Sequence, residues 1–237
     1  MLTPNTKEIY TKLEYVWPQN SKWYDYTHNT ICAYVHKRIS SLQTGNITIL
    51  NAGSGGSNYG LDVEMYHLDI SPNLISKCNH QIVASVEDIP CASNSFDVII
   101  CVGSVINYCS ALEAITEMAR VLRPSGLLIL EYERSNSAEL WGSKEYGKTA
   151  TYQSYNYLDE THNLWLYSDK YIKKIVVSSG LQVDEYKRFH SLSAVVNRIT
   201  KDEDFAGKFA TLDCFFRPFS YLMADNCILS LYKTSHF

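Results

Sequence analysis

The chain has 237 residues, 46% of them apolar and 19% charged, which is enough to bury a full core and too balanced for a disordered or fibrous chain. A formal charge of −4 supplies no polycationic surface and argues against nucleic acid as a partner. Seven scattered cysteines, none in a Cys-x-x-Cys pair, speak against a zinc cluster and a disulfide framework, so no metal is expected and a reducing, cytoplasmic setting is. The opening MLTPNTKEIY lacks a basic region followed by an apolar one, and no apolar run reaches membrane-spanning length.

Residues 1–40 read as a helical cap, with helical spacing in ICAYVHKRI and a polar, aromatic interruption in WPQNSKWYDYTHN. NITIL is a β-branched strand that runs into a glycine loop, ILNAGSGGSNYG. EMYHLD, the short helix SPNLISKC and QIVAS follow, with Ser71 at an N-cap and Pro72 at the first helical position. FDVIICVGS is an apolar run suited to a strand buried on both faces. SALEAITEMARVLRPSG is a helix with a capping box from Ser110 and Glu113 and an apolar face of Leu112, Ile115, Met118 and Leu122; LLILEYE is the next strand. Strands alternating with helices over residues 47–133 predict a mostly parallel sheet with right-handed crossovers.

Beyond that core, TATYQSYNYLDETHNLWLYS alternates on both sides of a polar turn near Asp159, the pattern of a β-hairpin. DKYIKKIVVSSG reads as a helix ending at Gly180, LQVDEYKRF as a strand, FAGKFATLDCFFRPFSYLM as helical up to Pro218, and NCILSLYK as the last strand. The expectation is one domain over 1–237, with the cap at 1–40, a cofactor-binding core at 45–133, an acceptor-side insertion at 146–168, and the rest of the sheet at 169–237.

The glycine loop poses the functional question. Walker-type phosphate binding requires Gly-Lys-Ser/Thr, and no lysine follows; a dinucleotide loop requires a last glycine that Gly53, Ser54, Gly55, Gly56, Ser57, Asn58 lacks. Asp69 falls sixteen residues after Gly53, at the end of the second strand, where a carboxylate can accept hydrogen bonds from ribose hydroxyls. Loop and acid together indicate an adenosine-containing ligand without choosing between NAD and S-adenosylmethionine. A helix cap is the plain alternative for Asp69.

The series ILNAGSGGSNYG, HLDISPNLI, ASVEDIPCASNSFDVIICVGSVINY and ALEAITEMARVLRPSGLLIL resembles the class I S-adenosylmethionine-dependent methyltransferases of the small-molecule type. That resemblance covers roughly residues 45–190. It implies an α/β, Rossmann-like, doubly wound sheet of seven strands, mostly parallel with the last strand antiparallel, here with the helical cap and hairpin added. It also implies S-adenosylmethionine as cofactor and S-adenosylhomocysteine as product. The loop Gly53–Ser54–Gly55 matches the segment under the methionine part, Asp69 the ribose acid, Ile70 its neighbour at the adenine, Ser85 and Val86 the pair at the adenine edge, and Cys101, Val102 and Gly103 the fourth strand's end. Asn51 and Ser85 depart from the acidic residues usual at those two places.

Methyl transfer from a sulfonium requires an acceptor atom held in line, and a hydroxyl acceptor profits from a general base. The crevice lies at the strands' carboxyl ends, so Asn107, Tyr108 and Glu131 to Glu133 are expected there, with Trp23, Tyr24, Asp25, Tyr26 and His28 contributed by the cap. His28 and Glu131 are the candidate bases, although His28 also fits a surface turn and Glu131 a plain strand end. Asn107, Tyr108, Glu133 and Tyr155 are the candidate acceptor contacts, and Tyr24 and Tyr26 candidate cofactor contacts. His162, near the hairpin turn, is expected to face solvent. The 18 tyrosines concentrate at 10–34 and 146–171, which points to an aromatic acceptor pocket; a half-exposed packing face is the alternative. The expected function is methyl transfer to an oxygen or nitrogen of a small organic molecule, with no nucleic-acid or membrane partner. The alternative is a methyltransferase-like protein that binds S-adenosylmethionine without transferring its methyl group.

Overall fold

A computed structural model describes residues 6–13, 15–42, 47–158, 160–216 and 220–235. Two helices precede the sheet, α1 (Thr6–Lys12) and α2 (Lys22–Ser40). Then come β1 (Ile49–Ala52), β2 (Tyr66–Asp69), α3 (Pro72–Ile75), β3 (His80–Val83), β4 (Phe96–Cys101), a 3-10 turn at Val105–Tyr108, α4 (Ala111–Val121) and β5 (Leu122–Glu133). A hairpin of β6 (Ala150–Tyr157) and β7 (Glu160–Tyr167) leads to α5 (Asp169–Ser178), β8 (Leu181–Phe189), α6 (Leu192–Thr200) and α7 (Glu203–Gly207). Two 3-10 segments, Ala210–Phe216 and Ser220–Met223, precede β9 (Asn226–Lys233).

Seven strands form one sheet in the order β3-β2-β1-β4-β5-β9-β8. β1 to β5 pair in parallel, and β9 runs antiparallel to both its neighbours, β5 and β8. The alternation within each apolar run explains the two covered faces. Leu50, Ile99, Leu128 and Leu130 point to the face covered by Ile115 and Met118 of α4 and Ile172 and Val176 of α5. Their neighbours Ile49, Val98, Ile100 and Ile129 point the other way, against Ile31, Tyr34 and Val35 of α2. Each such side chain removed from water contributes on the order of 1.5–3 kcal/mol. The strand order reverses between β1 and β4, which opens a crevice at their carboxyl ends.

Several local expectations are corrected. The interruption in the cap is shorter than its composition implies: α2 begins at Lys22, so WYDYTHN is helical and turns Trp23 and Thr27 inward. No helix separates β1 from β2; residues 53–65 form turns and irregular loop, whose N–H groups at Gly53, Ser54, Gly55 and Gly56 are taken by Leu68, Asp69 and Ser54. Leu112 stands 49% exposed because Ala111 and Ala114 complete the buried face of α4. Its cap is one-sided: Ser110 Oγ accepts from the Glu113 N–H, while the Ser110 N–H donates to Glu87 Oε1 at 2.8 Å. The Ser71 hydroxyl makes no capping bond to α3. The expected C-terminal helix is split into α7 and 3-10 turns, and Pro218 and the hairpin turn at Asp159 lie outside the described residues. The hairpin is a separate two-stranded sheet, attached where Arg134 bridges Tyr167.

Candidate active site

The glycine loop turns sharply over the end of β1. Gly53 and Ser54 both donate to the carbonyl of Leu68, at 2.7 and 3.0 Å, which ties the loop to β2. Gly53 and Gly55 have φ of +72° and +52°, the left-handed region that glycine enters without strain. A Cβ on Gly53 would also lie 2.5 Å from both Val105 methyl carbons, and one on Gly55 would lie 2.9 Å from Val16. The loop is pressed between the 3-10 turn after β4 and the segment that follows α1.

Asp69 anchors this loop. Its Oδ2 accepts from the Gly55 N–H at 2.8 Å and its Oδ1 from the Ser71 N–H at 2.9 Å. Burial pushes its pKa up, against the pull of those N–H donors. The carboxylate borders the cavity. Asn51, by contrast, is fully buried beneath the loop: its amide donates to the Ser57 carbonyl at 2.7 Å and accepts from the Tyr59 hydroxyl at 3.2 Å. A carboxylate could not make the first of these bonds, so the departure at position 51 is matched by a local rearrangement.

A single cavity with about 1560 Å³ of empty space, its open mouth included, runs from this loop to the hairpin and cap. Gly53, Ser54, Gly55, Asp69, Ile70, Ser85 and Val86 border it, as do Val102 and Gly103. Tyr24, Tyr108, Glu133 and Tyr155 also border it. Six candidates do not border it. Cys101 is wholly buried in the core, with its thiol pKa pushed well up by burial. Tyr26 packs edge-on against His190, their ring centroids 5.1 Å apart. His28 lies on α2 behind Trp17 and beside Cys32 and does not border the cavity. Asn51, Asn107 and Glu131 are buried beneath the surface of the cavity.

Glu131 is not a base facing substrate. Its Oε2 accepts from the N–H groups of Gly103 and Ser104 at 3.0 and 2.6 Å, and its Oε1 from the Asn226 amide at 2.8 Å. It fixes the turn after β4. Glu133, two residues on, reaches the cavity at the strand's end, where Ser104 Oγ donates to its Oε1 at 2.8 Å. Burial, opposed by that hydroxyl and reinforced by Glu131, Glu139 and Glu203, pushes its pKa up to about 8. Asn107 acts as a clasp rather than as an acceptor contact: its amide donates to the carbonyls of Glu133 and Trp165 and accepts from the Glu133 N–H.

The cap supplies Trp17, which the sequence reading missed, beside the expected Trp23. Trp17 lies over Gly103, where an added Cβ would meet its ring at 3.7 Å. Trp23 stacks on His190 with 3.7 Å between centroids, and His190 is held between Thr27 Oγ1 and Ser193 Oγ. Burial lowers the His190 pKa to about 3, so this imidazole stays neutral and serves as a platform for the Trp23 wall. His162 is 1% exposed, not solvent-facing, because the alternation of β7 turns His162, Leu164 and Leu166 inward; its Nδ1 lies 3.0 Å from the Tyr108 hydroxyl. Glu139, Glu203 and Asp225 complete the wall from three distant segments, and only their position in the fold reveals them.

These residues suit S-adenosylmethionine. Asp69 offers acceptors to ribose hydroxyls, Ile70 and Val86 an apolar slot with Ser85 beside it for the base, and the surrounding carboxylates complement a sulfonium cation. Residues 45–130 match the family model described as "Methyltransferase domain". No curated protein matches the sequence. Among solved structures, a Listeria monocytogenes protein assigned as an S-adenosylmethionine-dependent methyltransferase is similar at a TM-score of 0.60 and 13% identity, covering 86% of this chain and 98% of that one. The [4+2]-cyclase SpnF is similar at 0.59 and 14%, covering 92% and 86%. The Burkholderia thailandensis 1,6-didemethyltoxoflavin-N1-methyltransferase, with 1,6-didemethyltoxoflavin and S-adenosylhomocysteine bound, is similar at 0.54 and 10%, covering 88% and 78%. Residues 45–130 thus carry a methyltransferase domain, set on a Rossmann-like sheet of seven strands whose last strand in sequence runs antiparallel, the fold shared with these solved methyltransferases.

Proposed function

We infer that the protein methylates an oxygen or nitrogen of a small organic acceptor. The observation that carries this reading is the continuity of the cavity: the part bordered by Asp69, Ile70 and Val86 opens into a second part walled by Trp23, Tyr108, Glu133 and Tyr155. When bound, S-adenosylmethionine supplies an electrophilic methyl group. The chain's own residues do the rest. Asp69 and the glycine loop fix the nucleoside, and the Glu131 clamp on Gly103 and Ser104 sets the floor of the crevice. Trp17 and the cap shield the centre from water, which strengthens every electrostatic contact inside. Glu133 is placed to hold or accept a proton at the acceptor atom.

Both tyrosine-rich segments contribute, through Tyr10 and Tyr24 from the cap and Tyr155 from the hairpin, which supports an aromatic acceptor pocket. The test is incubation with S-adenosylmethionine and a panel of small hydroxyl and amino compounds. Mass spectrometry should detect S-adenosylhomocysteine together with an acceptor heavier by one methylene. Tyr10→Phe, Tyr24→Phe and Tyr155→Phe combined should lower turnover. Tight binding of S-adenosylhomocysteine with no product from any acceptor would favour the non-catalytic alternative. The similarity to a cyclase makes that a real comparison, because a fold hosts more than one chemistry.

A further inference from the structure

Tyr10 of α1, Tyr108 of the 3-10 turn and His162 of β7 come from three distant elements and meet on the cavity wall. The Tyr10 and Tyr108 rings stand edge to face with 5.3 Å between centroids, and their hydroxyls hydrogen-bond each other. The Tyr108 hydroxyl in turn lies 3.0 Å from His162 Nδ1, so two phenols and an imidazole form one hydrogen-bonded chain. That chain is anchored beside Tyr108. Asn107 ties the turn to the Glu133 N–H and carbonyl on β5 and to the Trp165 carbonyl on β7, the strand that carries His162.

Tyr10 heads the chain. Its phenol lies within electrostatic reach of both Asp69, beside the glycine loop, and Glu133, at the end of β5, the span that a methyl group must cross from donor to acceptor. Glu133 is no rival base at neutral pH, since burial and its acidic neighbours keep it protonated up to about 8. A relay through tyrosines suits an acceptor of like acidity. A neutral amine already offers its lone pair, and an aliphatic alcohol is too weak an acid to hand a proton to a phenol. Aromatic walls from Trp23, Tyr24 and Tyr155 suit a ring-bearing acceptor.

Resting on the methyl-transfer reading, we propose that the acceptor is a phenol, that its hydroxyl docks on Tyr10, and that Tyr10 and Tyr108 pass its proton to His162 as the oxygen is methylated. The acceptor proton moves to the Tyr10 oxygen, the Tyr10 proton to the Tyr108 oxygen, and the Tyr108 proton to His162 Nδ1. Both tyrosines stay neutral and the imidazole becomes cationic. An electron pair of the acceptor oxygen forms the new O–CH3 bond as the C–S bond breaks with its electrons on sulfur. The products are an aryl methyl ether and a neutral thioether, and the charge lost at sulfur reappears on the imidazole. His162 returns its proton along the same chain to solvent once the products leave. Tyr10 is the catalytic residue; Tyr108 and His162 act through it.

The test uses the full chain with S-adenosylmethionine at pH 7. Phenol and 4-phenylphenol are each paired with the analogue tetrafluorinated on the hydroxyl-bearing ring, which is close in size, ionised at that pH and in no need of a base. Initial rates of S-adenosylhomocysteine formation are compared within each pair. At least one pair should be methylated, and its parent phenol should slow more in deuterium oxide than its fluorinated partner. In Tyr10→Phe and in His162→Asn the parent's rate relative to its partner's should fall at least about ten-fold, through kcat rather than KM. A residue that merely packed the wall would slow both members alike. The isotope comparison needs no variant and stands if either variant misfolds. Unchanged ratios in folded variants, equal isotope effects within a pair, or no pair methylated by a protein that binds S-adenosylhomocysteine would overturn the inference while leaving methyl transfer standing. Failure of S-adenosylhomocysteine to bind would overturn the methyl-transfer reading and this inference with it.

Discussion

Replacing Glu133 with Gln removes one ionisable group while keeping its size and its contact with Ser104. In the folded protein this carboxyl titrates at about 8, because burial and the neighbouring Glu131, Glu139 and Glu203 outweigh the Ser104 hydrogen bond; the ordinary value is 4.5. The folded state thus keeps a proton that the unfolded chain gives up between those two values. A raised folded pKa contributes stability that is complete below 4.5 and is lost as pH rises through 8. From pH 6 to pH 9 the loss spans roughly two units at about 1.36 kcal/mol each, or about 2.7 kcal/mol. The Gln variant lacks this term. The other buried carboxylates are present in both proteins, so to first order their share cancels in the difference. Urea unfolding followed by tryptophan fluorescence at pH 6, 7.5 and 9 should show wild type losing about 2–3 kcal/mol more than Glu133→Gln across that range. Parallel curves for the two proteins would refute the reasoning and mean that Glu133 is solvated and ionised at neutral pH.

Three further outcomes follow from the geometry. Asn107→Leu strips the Glu133 N–H, the Glu133 carbonyl and the Trp165 carbonyl of a buried partner and should cost about 2–4 kcal/mol in the same unfolding assay. Asp169→Asn leaves Arg134, which is 2% exposed, without its bidentate carboxylate and removes a partner from Arg188; a loss of about 3–5 kcal/mol in urea unfolding is expected. Gly56→Ala puts a Cβ into the Leu74 carbonyl at a φ of +78° and should destabilise the loop by at least about 1–2 kcal/mol, lowering both the melting temperature and the affinity for S-adenosylhomocysteine.

The parallel core was legible because its apolar runs are short and bounded, as in FDVIICVGS and LLILEYE, and because turn residues punctuate them. The loop end of the cavity was legible for a similar reason: loop and acid sit at the ends of adjacent strands, so local order places Gly53, Gly55 and Asp69 together. The far end was not. Glu139, Glu203 and Asp225 come from segments with no pattern of their own and meet only after the hairpin, α7 and β9 have docked. The choice between Glu131 and Glu133 turned on depth along one strand face, because residues two apart share a face and only the strand's end opens to the crevice. Asn51 shows the limit of reading one position at a time: its role became visible only with Ser57 and Tyr59 folded back onto it.

The central claim is that Asp69 and the glycine loop form the nucleoside end of a methyl-donor site. Isothermal titration with S-adenosylhomocysteine tests it directly, on wild type and on Asp69→Ala, with circular dichroism confirming that the variant is folded. One site per chain, weakened at least about ten-fold when the carboxylate is removed, is the expected result, because ribose hydroxyls would lose a charged acceptor worth about 1.5–3 kcal/mol. Absence of binding by wild type, or equal affinity in the two proteins, would contradict it.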